Sequence, residues 1–508
     1  MRPVPARLAV LGTALVLTGP LAIAQSGLTD SQRHAALREL VALLSLPNVA
    51  TNQADIRKNA EYLRAAFERR GFVSAVVATR RSPVVMAERP PDLPGPAGGG
   101  RTITFYVHYD GQPVSPADWR DSGPFEPIFR DGPVEAGGKL VTLSMGGPIS
   151  RDWRIYGRSS ADDKGEIVAL LSALDAVMAS RQRITATIRV VMEGDEEAGS
   201  PVLEEALLAH ADRTRGDLVI MVDGPRHASG RPTFFFGARG ILSAELTVFG
   251  AKADLHSGNY GNWAPNPALE LSRLIASMKD ENGRVLIKGF YDDVVPLTPE
   301  EERAIAEIPP VEQDQMRAFG FARPEVAGDR LERRHNLPTL NVEGLLSGTV
   351  GGQGRTIIPA SATARFDLRL VKAIDPARQF NRLAEHVRAH GYQLIEGIAP
   401  TDEERALYPR LARLVQIEGY PAGRTPFDTP LAQAVIAEVG RALNTTPVRL
   451  PTLGGSAPFY VFTDRLKAPT IGMPVANYDN NQHGPNENLR LGEFFDAIDA
   501  MRAILTMK

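Results

Sequence analysis

The 508-residue chain contains no cysteine. Disulfides are therefore excluded, as is lipid attachment through a cysteine, and any metal site must be built from His, Asp and Glu. Charge asymmetry is also missing: 57 basic against 60 acidic residues leave a formal charge of −3. That balance gives no electrostatic footprint for nucleic acid. Aromatic content is low at 6%, while 43% hydrophobic and 23% charged residues are ordinary globular values. The length allows two or more domains, each with its own core.

Long apolar runs are scarce except at the start. "MRPVPARLAVLGTALVLTGPLAIAQS" places Arg2 and Arg7 before an apolar run from Leu8 to about Ala22, then "AIA" before Gln25. The pattern is that of a secretory signal peptide cleaved after Ala24. The run is shorter than the ~20 residues a membrane span needs, and Pro20 interrupts it. The expectation is an exported protein, periplasmic or secreted, with no stable membrane anchor.

A helical stretch is expected from about Asp30 to Gly71, followed by the Pro/Gly loop "PPDLPGPAGGG" at 90–100. Four apolar strands then deliver polar residues at their ends: "TITFYVHYD", "ATIRVVMEGDEE", "DLVIMVD" and "APTIGMPVANYDNNQH". "ADDKGEIVALLSALDAVMAS" reads as an amphipathic helix between the first two. Alternating strands and helices imply an α/β domain with a mostly parallel sheet. Between about 238 and 398 the pattern changes to that of a smaller α+β domain inserted into the first. The expected division is a leader at 1–24, a main α/β domain at 25–237 and 399–508, and an inserted domain at 238–398. Residues 296–332 read as a polar helical excursion at the edge of the insert.

Chemistry gathers at the strand ends. Four carboxylates fall in "MEGDEEAGS" (192–200), with Glu196 and Glu197 adjacent. An isolated acidic cluster is usually a solvated turn. Here His108 and Asp110 close another strand as H-Y-D, and their side chains share a face. Asp162 and Asp163 open a helix, where one acid would serve as an N-cap. Asp223 ends an apolar strand, and His483 follows another. Parallel strands place such ends along one edge, so the clusters should meet. Two histidines and three carboxylates suit a pair of divalent ions with one bridging carboxylate. Other features fail this test. His386 and His390 have helical i, i+4 spacing but lack the glutamate of H-E-x-x-H, and read as surface residues. "GGQGRT" (351–356) fits a hairpin turn better than a nucleotide loop. His34, His210 and His335 have no metal-like companions.

These motifs, in order and spacing over about residues 30 to 508, resemble the co-catalytic dizinc metallopeptidase family of carnosinases, glutamate carboxypeptidases, aminoacylases and succinyl-diaminopimelate desuccinylase. The carnosinase-like dipeptidases are the closest fit. The resemblance implies an α/β catalytic domain with an inserted α+β lid through which the chain forms a homodimer. It assigns His108, Asp162 and Asp223 to one ion, and Asp162, Glu197 and His483 to the other. Asp110 would clamp His108, and Glu196 would be the general base. His256 in "ADLHSGNYG" would reach the partner's active site and stabilise an oxyanion. Thr356, Arg369 and Ser456 would bind substrate, Arg369 by pairing with a terminal carboxylate. The ions would be zinc foremost, with manganese and cobalt also suited to such ligands.

The implied substrate is a dipeptide or short peptide with a free C-terminal carboxylate. N-acyl amino acids hydrolysed by the same machinery are the alternative, and a non-catalytic peptide-binding protein is a distant third. Three departures from the family pattern stand out. Ser159 replaces a usual glycine, Gly111 stands where valine is frequent, and residues 132–152 are an addition that could narrow the cleft or change substrate length. The leader has a direct test. Protein expressed with its leader in an exporting bacterial host should have Gln25 as its first residue by intact mass, and a retained Met1 would refute the leader.

Overall fold

The computed structural model describes residues 27–92, 100–144 and 146–507. The expected leader lies outside the described residues. Eight strands form the main sheet, in the order Val73–Val77, Val84–Arg89, Thr187–Glu193, Thr102–His108, Leu218–Met221, Thr470–Gly472, Thr233–Phe235, Val448–Leu450. The third to sixth of these are parallel to one another. They are the four apolar runs legible in the sequence. Antiparallel pairing occurs at the N-terminal edge and where Thr233–Phe235 joins Thr470–Gly472.

The central strands are apolar on both faces because both faces are covered. Ile103, Phe105 and Val107 pack into one core, and Tyr106 packs into another with Val191, Val219 and Met221. The helix Lys164–Ser180 lies against Asp30–Leu44 and Leu491–Thr506. Ile167 to Leu171 are all buried, so this helix is enclosed rather than amphipathic, contrary to the expected pattern.

The second sheet runs Asn341–Leu346, Ser361–Leu370, Gly237–Phe249, Leu411–Tyr420, Gln393–Leu394. All neighbours are antiparallel except the last pair. Leu242, Ala244, Leu246 and Val248 alternate inward, where helices Pro267–Ala276 and Pro376–Ala389 cover them. The expected end of the insert at 398 needs correction. Leu411–Tyr420 pairs with Gly237–Phe249 from Ile241 opposite Tyr420 to Phe249 opposite Leu411, so this sheet extends to Tyr420. That strand carries Arg413, Gln416 and Glu418 among its apolar residues, which weakened its signal.

Two other expectations change. The described residues of the 132–152 segment do not line the cavity. Its Leu140–Val141 strand edges a small four-stranded sheet, and Val141, Leu143 and Ile149 pack on the main core. The His34 ring lies 2.9 Å from the Gly147 carbonyl, tying this segment to the first helix. The 296–332 excursion touches the insert, where Glu325 pairs with Lys279 at 2.6 Å, and also packs on the main-sheet side. Helix Pro299–Ala306 lies against Val448–Leu450, Ile308 enters the core, and Glu301 pairs with Arg424.

Gly111 and Ser159, two separate departures in sequence, are neighbours in space. A Cβ at position 111 would lie 2.5 Å from Ser159 Oγ. Ser159 has a positive φ of 63°, and its hydroxyl accepts from Asn48 Nδ2 at 2.9 Å. The side chain missing at 111 thus makes room for the one gained at 159. Gly111→Val should cost about 1–3 kcal/mol of stability by overpacking. Adding Ser159→Gly should recover most of that loss in chemical denaturation, and simple additivity of the two changes would show that they are not coupled.

Candidate active site

The parallel strands end together, and their carboxyl ends carry the site. His108 ends one strand opposite Glu193 of the next, and Asp223 follows Met221. Beyond Glu193 the chain turns, and Asp110 holds that turn. Its two oxygens accept the backbone N–H groups of Glu196 and Glu197 at 3.1 and 2.9 Å. Asp110 also stands 3.4 Å from His108 Nδ1. Its closest contacts are therefore to the Glu196–Glu197 turn, with the imidazole as a further neighbour.

The loop carrying Asp162 is held from beneath by Glu487. This buried carboxylate accepts from Arg158 Nη1 at 2.7 Å and from the backbone N–H groups of Ser159 and Ala161 at 3.1 and 2.9 Å. The Asp162–Asp163 peptide bond is cis. Asp163 precedes the Lys164–Ser180 helix without capping it by its side chain. Instead it accepts the His108 backbone N–H at 3.0 Å. Lys164, fully buried, donates to the carbonyls of Leu43 and Leu46 and pins the first helix to the same loop.

Two clusters result, and Asp162 belongs to both. Ligand atoms of His108, Asp162 and Asp223 lie within 4.8 Å of one another, as do those of Asp162, Glu197 and His483. Asp162 places one oxygen 2.7 Å from His108 Nε2 and the other 3.0 Å from His483 Nε2. His483 Nε2 is also 3.4 Å from Glu197. Gln482 and Gln112 donate to Asp162 and Glu197, each at 2.7 Å. These two amides were not singled out in the sequence. Their signal was adjacency: each lies one or two residues from a motif residue, His483 or Asp110.

The donor set fits divalent cations. Both His108 ring nitrogens are buried without a hydrogen-bond partner, although carboxylates stand beside them. Burial disfavours a charged imidazole, yet Asp110 and Asp162 hold the His108 pKa well above its usual value. Burial and then the Asp162 charge push Glu197 up to about 8 and Asp223 up to about 6. Burial also raises Glu196. So many buried carboxylates either hold protons or hold a cation, and two imidazoles with three carboxylates offer nitrogen and oxygen donors for a pair of ions.

A cavity of about 620 Å³ opens from these clusters, bounded by Asp162, Glu196, Asp223 and His483 at one end. Arg369 and Ser456 line it too. Ser456 Oγ accepts from Arg369 Nη1 at 2.7 Å, and Asp367 faces Arg369 Nε at 3.1 Å. His256 and Thr356 are not brought to this cavity. They sit side by side on the exposed surface of the insert, where Leu255–His256 pairs with Ile357–Ile358. The excursion contributes Phe319, Leu331 and Glu332 to the cavity, and His335, which has no metal-like companions in the sequence, lines it as well. His386 bonds Ser277 and stacks 4.3 Å from His390, away from both clusters. "GGQGRT" lies in the connection between two antiparallel strands.

This fold and this cluster define a hydrolase of the metallopeptidase class. The chain belongs to Peptidase family M20/M25/M40, whose model matches residues 104–507. It is 27% identical over 409 residues to the Cys-Gly metallodipeptidase dug1 of Schizosaccharomyces pombe, covering 78% of each chain. It is 25% identical over 430 residues to the Beta-Ala-His dipeptidase of Homo sapiens, covering 83% of this chain and 76% of the relative. Among solved structures it is similar to an M20 family metallo-carboxypeptidase, Sso-CP2 of Sulfolobus solfataricus. The TM-score is 0.75 at 27% identity, over 93% of this chain and 98% of the other.

The raised carboxylate pKa values give a pH signature to metal-free protein. In the unfolded chain, Glu197 and Asp223 ionise near pH 4. Folded, they keep their protons to about 8 and about 6. Across that window the native state binds more protons than the unfolded state, so stability falls as pH rises. His108, with its raised folded pKa, acts in the same direction, its contribution fading as pH rises through that pKa. Metal-stripped protein should therefore lose thermal stability between about pH 5 and 8. Added zinc or manganese should raise the midpoint most at the upper end, and a flat profile unaffected by metal would contradict the ligand assignment.

Proposed function

We propose that this protein hydrolyses the amide bond of dipeptides or short peptides with a free C-terminal carboxylate. One observation carries the reading: two ligand clusters sharing Asp162 open, with Glu196 and Arg369, into one cavity. The dipeptidase names of the relatives support it. His108, Asp162 and Asp223 would hold one divalent ion, and Asp162, Glu197 and His483 the other. When bound, the ions supply Lewis acidity, lowering the pKa of water towards ~7 and polarising the scissile carbonyl.

Glu196 belongs to neither ligand cluster. As general base it takes the water proton on its carboxylate and passes it to the departing amine nitrogen. The raised pKa of its buried carboxyl suits a group that must hold that proton in mid-reaction. Arg369, oriented by Asp367 and Ser456, grips the terminal carboxylate and sets the peptide's register. Asp110 and Gln112 keep Glu196 and Glu197 in place.

The insert acts as a lid and dimer interface in this proposal. Asn341–Leu346 is a fully exposed edge strand presenting Val342, Leu345 and Leu346, a ready template for a second copy. His256 and Thr356, remote from their own cavity, would serve the partner's site, His256 by donating to the oxyanion. The leader read in the sequence makes export part of the proposal.

A metal-stripped and then zinc- or manganese-titrated preparation tests these points. Followed by mass spectrometry, restored metal should bring loss of dipeptides from a mixture with N-acyl amino acids. Loss of the acyl compounds alone would replace the peptidase reading with a deacylase. Glu196→Gln should lower kcat by about 10²–10⁴-fold with metal still bound. Mixing inactive Glu196→Gln with inactive His256→Ala chains should regain activity if the histidine acts across a dimer.

A further inference from the structure

The excursion between the insert's helices and strands has no part in the chemistry above, yet it builds one wall of the cavity. Val311, Gln315 and Phe319 line the cavity at i, i+4 and i+8, so one face of helix Glu312–Phe319 is turned towards it. Leu331 and His335 repeat that spacing on the next short helix. Leu450 and Leu453 of the catalytic domain line the cavity as well.

This wall is anchored. Glu332, 2% exposed, stands 3.2 Å from His227 Nε2, only four residues beyond Asp223, and its other oxygen is 3.1 Å from Arg330. Arg330 in turn donates to Glu312 at 2.5 Å, joining the two short helices. Despite that anchoring, Phe319 is left 69% exposed, with Phe321 stacked beside it at 6.3 Å. Phe319 and Phe321 together present an exposed aromatic pair at the cavity, an apolar surface that a side chain can cover. The volume of about 620 Å³ lies within the ~300–1,000 Å³ range that encloses drug-sized ligands, more than a peptide of two small residues fills.

We infer that the 309–335 wall is the specificity element of this peptidase, taking a large apolar side chain of the substrate between Phe319, Leu331 and Leu453. The preferred substrates are then short peptides with an aromatic or large aliphatic residue. This inference rests on the peptidase reading above. It extends that reading to a side chain on which neither the metal ligands nor Arg369 bears.

The test measures kcat/KM of the zinc-loaded full chain on Gly-Xaa and Xaa-Gly series, with Xaa as Ala, Leu, Phe or Glu. Phe and Leu should exceed Ala by roughly tenfold or more in one series, which also identifies the position served. Phe319→Ala and Leu331→Ala should each shrink that ratio several-fold. Phe319→Arg should turn the preference towards Glu, a gain that damage to the fold would not produce. Leu407→Ala, on an exposed helix outside the cavity, should leave the ratio as it is. Hydrolysis with no preference for large apolar residues, or with a preference that the wall variants do not alter, overturns the inference and leaves the peptidase reading standing. Failure to hydrolyse any peptide overturns both.

Discussion

Asp162 has to face two clusters at once, and much of the catalytic domain serves that requirement. One of its oxygens looks to His108 and the other to His483, which lies 321 residues further along the chain. Glu487 fixes the loop below it, Lys164 ties that loop to the first helix, and Gln482 steadies the carboxylate from above. Glu487 and Lys164 are themselves buried polar groups, tolerable only because they are hydrogen-bonded. Around them Glu197, Asp223 and Glu196 crowd into a space where their charges repel and their solvation is lost. The fold can hold such a group because four parallel strands, apolar on both faces, form a rigid platform beneath their ends.

Ligands and base come from the ends of that platform's strands and the loops beyond them, whereas Arg369 and Ser456 approach from the junction with the second sheet. Gly237–Phe249 makes that junction. Its first residues pair with Gly423–Arg424 and Leu453–Ser456, and the remainder runs through the middle of the insert's sheet. One strand thus ties the Leu453–Ser456 segment beside the cavity to the strand that carries Arg369, through backbone pairing rather than flexible loops.

The chain's departures from its family differ in kind. Val141, Leu143 and Ile149 of the 132–152 addition pack on the main core, and its described residues do not line the cavity. Gly111 and Ser159 exchange one side chain for another within a single close contact. The 296–332 excursion, not one of those departures, does reach the cavity with Val311, Gln315, Phe319, Leu331 and Glu332.

The sequence by itself determined the parallel core, because its four apolar runs can be satisfied only when covered on both faces, and it placed an acid or imidazole at each of their ends. Strand periodicity and motif spacing are local properties, readable without coordinates. Tertiary structure decided the rest. The insert's sheet continues to Tyr420, because a strand interrupted by charges gains its place from partners on both sides. Gln112 and Gln482 became supports, and His335 a cavity residue, through contacts with positions distant in the chain. Whether Phe319 faces water or substrate depends on where its helix docks, and that docking rests on Glu332 meeting His227 across 105 residues. No local pattern encodes such a pairing, since its free energy arises only once both ends are buried together.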